Sequence, residues 1–437
     1  MHQLSVARLS RLVRSNVKRQ CSSNGRSRES GAVASIVAIL FGTGVLLGLG
    51  ALVLDTGSLL YERRQLQNGA DAASLSLARN CAKAQAGVAG YVCDTSTSTK
   101  TDLADLAGLN AADSKSDIFN ICGSQKLSGA NSAFTVCPAP SPALVECPAT
   151  SSTANYVEVR TATKTASNSP ILPPILSQML AGGNYSGETV KACARAGWGP
   201  LGSSGPSLPL VIGVCEWNKA TANGTLYAPP PTPPATQYTP APNQTDYGKG
   251  GGTPYTPALS PTPAVVPANT IVSIIAHTSS GSSAVNNCPE NPAPPAGQDY
   301  PGGFGWTTAD TTCSAIFADT GSLTGDGGGA PPQDCKHVGP VSSYVGKIVN
   351  IPIFTNDAIS NGTATYTISG LAAFYLAGYA NISTVSDMFG YAAPASLQCV
   401  PGAPSTCIWG WFTQPDPSGG EIGGGELRGP IVVQGLG

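Results

Sequence analysis

The feature that most constrains this chain is a run of 24 residues without a charged side chain, from Gly31 to Leu54. As an α-helix rising 1.5 Å per residue, this run would be about 36 Å long, which is enough to cross a hydrocarbon core of about 30 Å. The sequence therefore predicts a membrane-spanning helix at residues 31–54, with residues 55–437 on one side of the bilayer.

The residues before this run predict its orientation. Residues 1–30 carry seven lysines and arginines and one acid, Glu29. Basic residues beside a span stay in the cytoplasm, so residues 1–30 are predicted to be a basic cytoplasmic tail and the bulk of the chain to be extracytoplasmic. When the tail is subtracted from the whole-chain totals of 23 basic and 25 acidic residues, 16 and 24 remain. Such an acidic exterior argues against nucleic-acid binding.

A cleaved signal peptide is the alternative to an anchor. The basic tail fits it, but the apolar run exceeds the usual core of about 7–15 residues and no small-x-small cleavage site follows Leu54. Asp55-Thr56-Gly57 continues instead into a helical pattern. The sequence thus favours an uncleaved, single-pass cell-membrane anchor.

The cysteines agree with this topology. Cys21 lies in the tail, and twelve more cysteines follow the apolar run without a C-x-x-C pair that would suggest zinc or a redox motif. Disulfides form in oxidising compartments, so all twelve are disulfide candidates: Cys81, Cys93, Cys122, Cys137, Cys147, Cys193, Cys215, Cys288, Cys313, Cys335, Cys399 and Cys407. Spacing leaves the pairing open, and the short-range candidates are Cys81–Cys93, Cys137–Cys147 and Cys399–Cys407.

Residues 55–79 have the pattern of an amphipathic helix. Leu59, Leu66, Ala70, Ala73 and Leu77 recur at offsets of seven, four, three and four, and form one apolar stripe. Gln67 and Asp71, four residues apart, are placed to hydrogen-bond along the helix. The membrane helix is therefore expected to continue to about Ala84, weakened locally by its glycines.

The same stretch resembles a known family. Gly31-Ala32-Val33-Ala34, the apolar run and the polar residues that follow it are similar to the N-terminal signature of the TadE/TadG-like family of Flp-type (tight-adherence) pilus assembly proteins. The family-motif residues in this sequence are Asp55, Gly57, Tyr61, Arg64, Gln67, Asn68, Asp71, Ala72 and Ala73. Ser74 and Gly69 stand where the family usually has alanine. Weaker similarity around Cys193, Val349 and Cys407 makes the whole chain look like an actinobacterial type of this family.

The resemblance implies a membrane-anchored structural or assembly component of a pilus or secretion system. The expected partners are the lipid bilayer and other pilus-assembly membrane proteins, contacted through the transmembrane helix. Gly44 and Gly48 would permit close helix contact, although glycine is common in such helices. Related pseudopilins are cut after a glycine, but cleavage after Gly25 would leave charged residues at the new terminus and is not expected.

The rest of the chain predicts an α+β fold with disulfide-tied loops. Only 11% of residues are charged, against about a quarter in ordinary domains, and 52 glycines and 37 prolines indicate many loops. Residues 55–226 are predicted to form the helix extension and an outer α+β module, residues 227–267 a Pro/Gly-rich linker, and residues 268–437 a β-rich outer module.

Periodicity places individual elements in these modules. Strands are predicted at 156–163, 189–196, 271–275, 347–354, 364–369 and 372–377, and short helices at 103–109 and 170–180. The glycine-rich stretch 419–425 is expected to be mobile.

No catalytic, cofactor or metal site emerges from the sequence. Cys335-x-His337 lacks the further ligands of a metal site, and an exported cysteine favours a disulfide. The run from Asp94 to Ser98 matches the D-x-S-x-S of von Willebrand A-type metal sites, but no buried strand precedes it, which favours a Ser/Thr loop. No small-molecule substrate is expected.

Three functions follow from these observations. The first is a non-enzymatic pilus-assembly component. The second is a surface adhesin or a module that contacts the cell wall, with the same topology. The third is an exported hydrolase, which would need a set of acid, base or nucleophile groups that the sequence does not supply.

Overall fold

The structure is a computed structural model of the 437-residue chain. It describes residues 27–42, 45–124, 134–138, 155–175, 178, 185–228, 272–276, 303–326, 331–335, 341, 343–360, 363–380, 388–390 and 407–436. Two compact units are present. One contains Met1–Leu59 and Pro173–Gly187, and the other contains Leu60–Leu172 and Glu188–Gly437.

The α-helices whose bounds lie within the described residues are α1 (Ser27–Gly42), α2 (Val45–Gln85), α3 (Thr97–Gly108) and α4 (Val214–Thr221). Helix α2 runs without interruption through Asp55 and ends one residue beyond the predicted Ala84. In the part of the chain that the structure describes, no helix is both long enough and apolar enough to span a membrane.

The predicted apolar stripe of α2 is confirmed as core packing. Leu66, Ala70, Ala73 and Leu77 are at most 1% exposed, while Leu59 is half-buried. Ala73 and Leu77 pack in a cluster with strand residues that include Val157, Ala196 and Trp198. Burial of one helix face against a sheet is therefore what stabilises the second half of α2.

That sheet has five strands in the order β1-β2-β3-β15-β14, antiparallel except for the β14–β15 pair. Its members are β1 (Asp117–Gly123), β2 (Asn155–Ala162), β3 (Lys191–Pro200), β14 (Ser418–Gly419) and β15 (Ile431–Gly435). The sequence predicted β2 and β3 within a few residues, and it predicted α3 as a short helix. It missed β1, where no strand was predicted.

A second, eight-stranded sheet has the path β10-β5-β7-β9-β11-β13-β6, with β12 paired to β11. Because β10 also pairs with β11, five of the strands form a closed ring of pairings (β5, β7, β9, β11, β10). The members of the sheet are β5 (Leu210–Gly213), β6 (Val272–Ile275), β7 (Phe304–Thr307), β9 (Gly321–Asp326), β10 (Ile348–Ser360), β11 (Thr363–Ala380), β12 (Met388–Gly390) and β13 (Cys407–Thr413). Two further strands, β4 (Ser203–Ser207) and β8 (Ala315–Ala318), pair with each other.

Each of the two predicted outer modules contributes a strand to the sheet formed mainly by the other. Strand β5 comes from the 55–226 stretch but lies between β10 and β7 of the eight-stranded sheet. Strand β15 comes from the end of the 268–437 stretch but pairs with β3 of the five-stranded sheet. The Pro/Gly-rich linker falls almost wholly outside the described residues, so its position at 227–267 stays a prediction.

Three local predictions differ from the structure, in whole or in part. The two strands at 364–369 and 372–377 are one continuous strand of 18 residues, β11, with which four other strands pair along its length: β9, β10, β12 and β13. The helix predicted at 170–180 does not form over 170–175, where Leu172 instead bridges to Glu188, whereas Gln178 is helical and the other residues of 176–180 lie outside the described part of the chain. The 419–425 stretch is held in place, because the Asp319 carboxylate accepts the Gly425 N–H at 2.5 Å and the Glu426 N–H donates to Ser369 O at 2.6 Å.

All nine cysteines that the structure describes are disulfide-bonded. The predicted Cys81–Cys93 pair is confirmed, with the Cα atoms 4.4 Å apart. The Cys137–Cys147 pairing was wrong, because strand β1 brings Cys122 to Cys137 instead. A third pair joins Cys313 to Cys335, and Cys193, Cys215 and Cys407 are also bonded. Cys147, Cys288 and Cys399 lie outside the described residues, so Cys399–Cys407 stays a prediction.

Candidate assembly surface

Apolar side chains are exposed along α1 and the first turns of α2. Large side chains that are 42–70% exposed occur throughout both segments: Val33, Ile36, Val37, Ile39, Phe41, Leu49, Leu52, Val53 and Leu54. A water-soluble surface carries few contiguous large apolar residues, so a surface of this kind marks a site of contact with lipid or with another protein.

Asp55, the first charged residue after the apolar run, is only 8% exposed. Its carboxylate accepts the backbone N–H of Ile175 at 2.7 Å, and its own carbonyl accepts the Ser58 hydroxyl at 2.8 Å. Burying a carboxylate costs free energy unless it is hydrogen-bonded, so the Ile175 amide is part of what holds Asp55 in this position.

Gln67 and Asp71 act further along α2. The Gln67 amide donates to Asp71 Oδ1 at 3.3 Å, as the spacing predicted, and also to the carbonyl of Cys193 in β3 at 2.9 Å. Partial burial raises the pKa of Asp71, and the bond from Gln67 opposes that rise. A neighbouring bond from the Thr161 hydroxyl to Leu66 O, 3.1 Å, adds a second attachment of the helix to the sheet.

The remaining motif residues divide between the core and the surface. Ala73 is fully buried and Ala72 half-buried. Tyr61 is 60% exposed, and Arg64 and Asn68 are also exposed. Since these three polar side chains are not needed to bury the helix, they are available to a partner.

The close approach of α3 explains the glycine at position 69. A Cβ at this position would lie 2.9 Å from the carbonyl oxygen of Ala107 and 3.2 Å from its Cβ. Helix α3 therefore approaches the backbone of α2 more closely than an alanine would allow. Gly57, by contrast, has no atom within 4 Å of an added Cβ.

The structure also places the candidates for chemistry. Cys335 is disulfide-bonded to Cys313, in agreement with the disulfide that the sequence favoured for it, and His337 lies outside the described residues. The Asp94 run is a helix start: Ser96 is the N-cap of α3, and Asp94 accepts bonds from Ser96 and Thr99. These bonds lower the pKa of Asp94.

One group of potential metal ligands exists among the described residues, Cys122, Cys137 and Glu158. Its sulfur atoms form a disulfide, and Glu158 is paired with Arg160 at 2.8 Å and Arg195 at 2.6 Å. An oxidised pair offers no thiolate and the carboxylate is already neutralised by two cations, so this group does not fit a metal ion.

The residue that sequence reasoning missed is Ile175. It was assigned to a helix, whereas the structure makes it the partner of Asp55. The signal that could have drawn attention to it is the absence of any charged residue from Thr165 to Gly187, a stretch that contains the proline pair Pro173-Pro174.

Comparison with known proteins agrees with the N-terminal pattern. Residues 31–79 match the model of the family described as putative Flp pilus-assembly TadE/G-like. No curated protein matches the chain, and no solved structure matches it either. The matched segment contains the exposed apolar helices and every motif residue from Asp55 to Ala73, so this segment is TadE/G-like and points to a role related to pilus assembly.

Proposed function

We propose that this protein is a membrane-anchored, non-enzymatic structural or assembly component of a Flp-type pilus or secretion system. The observation that carries the proposal is a coincidence of two features. The segment that matches the TadE/G-like model is also the segment whose large apolar side chains are exposed.

The cell membrane is the environment that this surface suits best. Apolar side chains are exposed on successive turns of α1 and α2, and seven basic residues precede them. In this proposal the basic tail is cytoplasmic and the chain crosses once. The disulfides support an extracytoplasmic position for the bulk, because such bonds persist in oxidising compartments.

The exposed polar residues of α2 are the proposed contact with other pilus-assembly membrane proteins. Tyr61, Arg64 and Asn68 follow the apolar run within four turns of one helix, so a partner helix beside the anchor could reach all three. Tyrosine and arginine are also the residue types that contribute most to protein interfaces.

The proposal is tested in a strain that lacks the protein. Loss of surface pili on deletion, restored by the wild-type chain, is the expected result, and unchanged piliation would refute an assembly role. The R64A variant should restore pili poorly. K100A is the matched control, because Lys100 is an exposed basic residue of α3 outside the TadE/G-like segment, and it should restore them fully.

An adhesin of the same topology is the second candidate, since the two sheets lie outside the TadE/G-like segment. The deletion strain distinguishes it, because cells that keep their pili but adhere poorly would favour the adhesin. Hydrolysis by the purified protein that one substitution abolishes would refute a non-enzymatic role.

A further inference from the structure

Leu172 and Glu188 form an isolated antiparallel bridge. These two residues exchange backbone hydrogen bonds, 2.9 Å and 3.3 Å long, and the Thr189 hydroxyl donates to Pro170 O at 2.7 Å. The segment between them, Pro173–Gly187, belongs to the same compact unit as Met1–Leu59. We call residues 173–175, the described part of this segment that follows Leu172, the excursion loop.

The hydrogen bond to Asp55 fixes the position of this loop along the axis of α2. The Ile175 N–H donates to the Asp55 carboxylate at 2.7 Å, and Asp55 directly follows Leu54, the last residue of the uncharged run. In a membrane-anchored protein, the first carboxylate after the span lies at the boundary between hydrocarbon and water. The start of the excursion loop must lie at the same boundary.

The loop presents apolar surface at that level. Ile175 is 59% exposed, and so are the helix residues just before Asp55, with Val53 at 70% and Leu54 at 51%. Burying such a side chain stabilises by about 1.5–3 kcal/mol relative to leaving it exposed. No charged residue occurs between Thr165 and Gly187, so no charge in this stretch opposes contact with an apolar phase.

The backbone is also suited to lipid. Pro173 and Pro174 have no N–H, the Ile175 N–H is given to Asp55, and the Leu172 N–H is given to Glu188 O. Four successive residues therefore present no unpaired backbone donor. An unsatisfied donor costs several kcal/mol in a bilayer, so a stretch that has none is compatible with contact to lipid.

We infer that the excursion loop rests on the lipid bilayer through Ile175, as a second membrane contact beside the helix. The inference depends on the proposed membrane anchorage. It commits to the interfacial region of the bilayer as the occupant, because the exposed Ile175 is hydrogen-bonded to Asp55, the residue that directly follows the exposed apolar run, in the same compact unit.

Depth-dependent fluorescence quenching tests this in the full chain. The variant I175W is reconstituted into phosphatidylcholine/phosphatidylglycerol vesicles that carry nitroxide-labelled lipids, with the label either near the headgroup or near the end of the acyl chain. The signal of the five native tryptophans is removed by subtracting the wild-type emission. Tryptophan fits at this position without repacking, since the isoleucine side chain is largely exposed.

Two further variants make the result decisive. I316W is the matched control, because Ile316 in β8 is an isoleucine with 68% exposure in the other compact unit. L52W reports the anchor itself, since Leu52 is 63% exposed within the uncharged run. The expected result is strong quenching of I175W by the shallow label, quenching of L52W by the deep label, and no quenching of I316W.

Each other outcome overturns something specific. If L52W is quenched and I175W is not, the loop does not contact lipid and the inference is wrong, while the proposed membrane anchorage is retained. If I175W emits at shorter wavelength without being quenched, a protein covers the loop and the inference is wrong. If L52W is not quenched either, membrane anchorage fails and the inference fails with it.

Discussion

Single hydrogen bonds explain why particular polar residues follow the apolar run. The first prediction concerns Asp55, whose carboxylate holds the Ile175 amide. The D55A variant removes the acceptor, so the amide of Ile175 should exchange with deuterium faster. D55N keeps an acceptor oxygen of the same size and should exchange at nearly the wild-type rate. Hydrogen-exchange mass spectrometry of peptides that contain residue 175 measures both, and equal rates in D55A and wild type would contradict the role assigned to Asp55.

Gly69 gives a second prediction at this scale. An added Cβ would meet the Ala107 carbonyl at 2.9 Å, so G69A should destabilise the protein by about 1 to 3 kcal/mol through overpacking. G57A is the control, because the same change in the same helix meets no atom and should be neutral or stabilising, by up to about 1 kcal/mol. Thermal unfolding of the detergent-solubilised chain compares them. If G69A is as stable as G57A, helix α3 shifts to accommodate the added methyl group without a loss of stability, and the prediction is wrong.

Among the elements, those with long periodic patterns were predictable and those set by distant pairing were not. The stripe from Leu66 to Leu77 predicted α2 and its buried face correctly, since helical spacing is a local signal. Strand β1 was missed because it lies in a Ser/Thr/Asp-rich stretch of low strand propensity, and it is stabilised by its pairing with β2, which local sequence does not reveal. Of the candidate site, the motif residues were predictable, but the partnership of Asp55 with Ile175, 120 residues away, was not.

The end of α2 is tied to the residues before α3 by Cys81–Cys93, with a sequence separation of 12. Closing a loop of this size removes chain entropy from the unfolded state and is worth about 3 kcal/mol. The C81S/C93S double variant should lose about that much free energy of unfolding, measured by denaturant titration under oxidising conditions. The Cys313–Cys335 disulfide closes a longer loop, with a sequence separation of 22. Its removal in C313S/C335S should therefore lower the free energy of unfolding by at least as much. No loss in either variant would contradict the entropic account.

The start of α3 gives a prediction about pH. Hydrogen bonds from Thr99 and Ser96 lower the pKa of Asp94 below its ordinary value of 3.8, so the ionised form is favoured by folding. Its contribution is therefore fully present above pH 3.8 and is lost as the pH falls through the lower, folded-state pKa. The difference in melting temperature between wild type and D94N should be constant from pH 5 to 7 and should shrink below pH 3.8. If the difference in melting temperature stays constant down to pH 2, the contribution of Asp94 to stability does not depend on its charge.

At the scale of the whole molecule, the chain is organised by strands that leave their own stretch of sequence. Composition correctly indicated an α+β chain with a β-rich second half and disulfide-tied loops. It could not indicate that β5 belongs with β7 and β10, or that β15 belongs with β3, because strand pairing depends on which edges meet in three dimensions. Local sequence predicts where a strand forms and which of its residues are buried, but it does not predict which strand pairs with it.

Strand exchange makes a final prediction, that the β-rich half does not fold alone. A fragment of residues 268–437 lacks β5, so β10 and β7 lose a shared partner and the ring of five strands is opened. The apolar residues Leu210, Val211 and Ile212, which are fully buried, would be missing from both sides of that ring. A fragment of residues 60–437 keeps every strand of both sheets and serves as the control. Exported to an oxidising compartment, the longer fragment should unfold in one cooperative thermal transition followed by circular dichroism, while the shorter one should aggregate or melt without cooperativity. A cooperative transition of the 268–437 fragment at the same temperature would show that β5 is dispensable and that the two halves are independent domains.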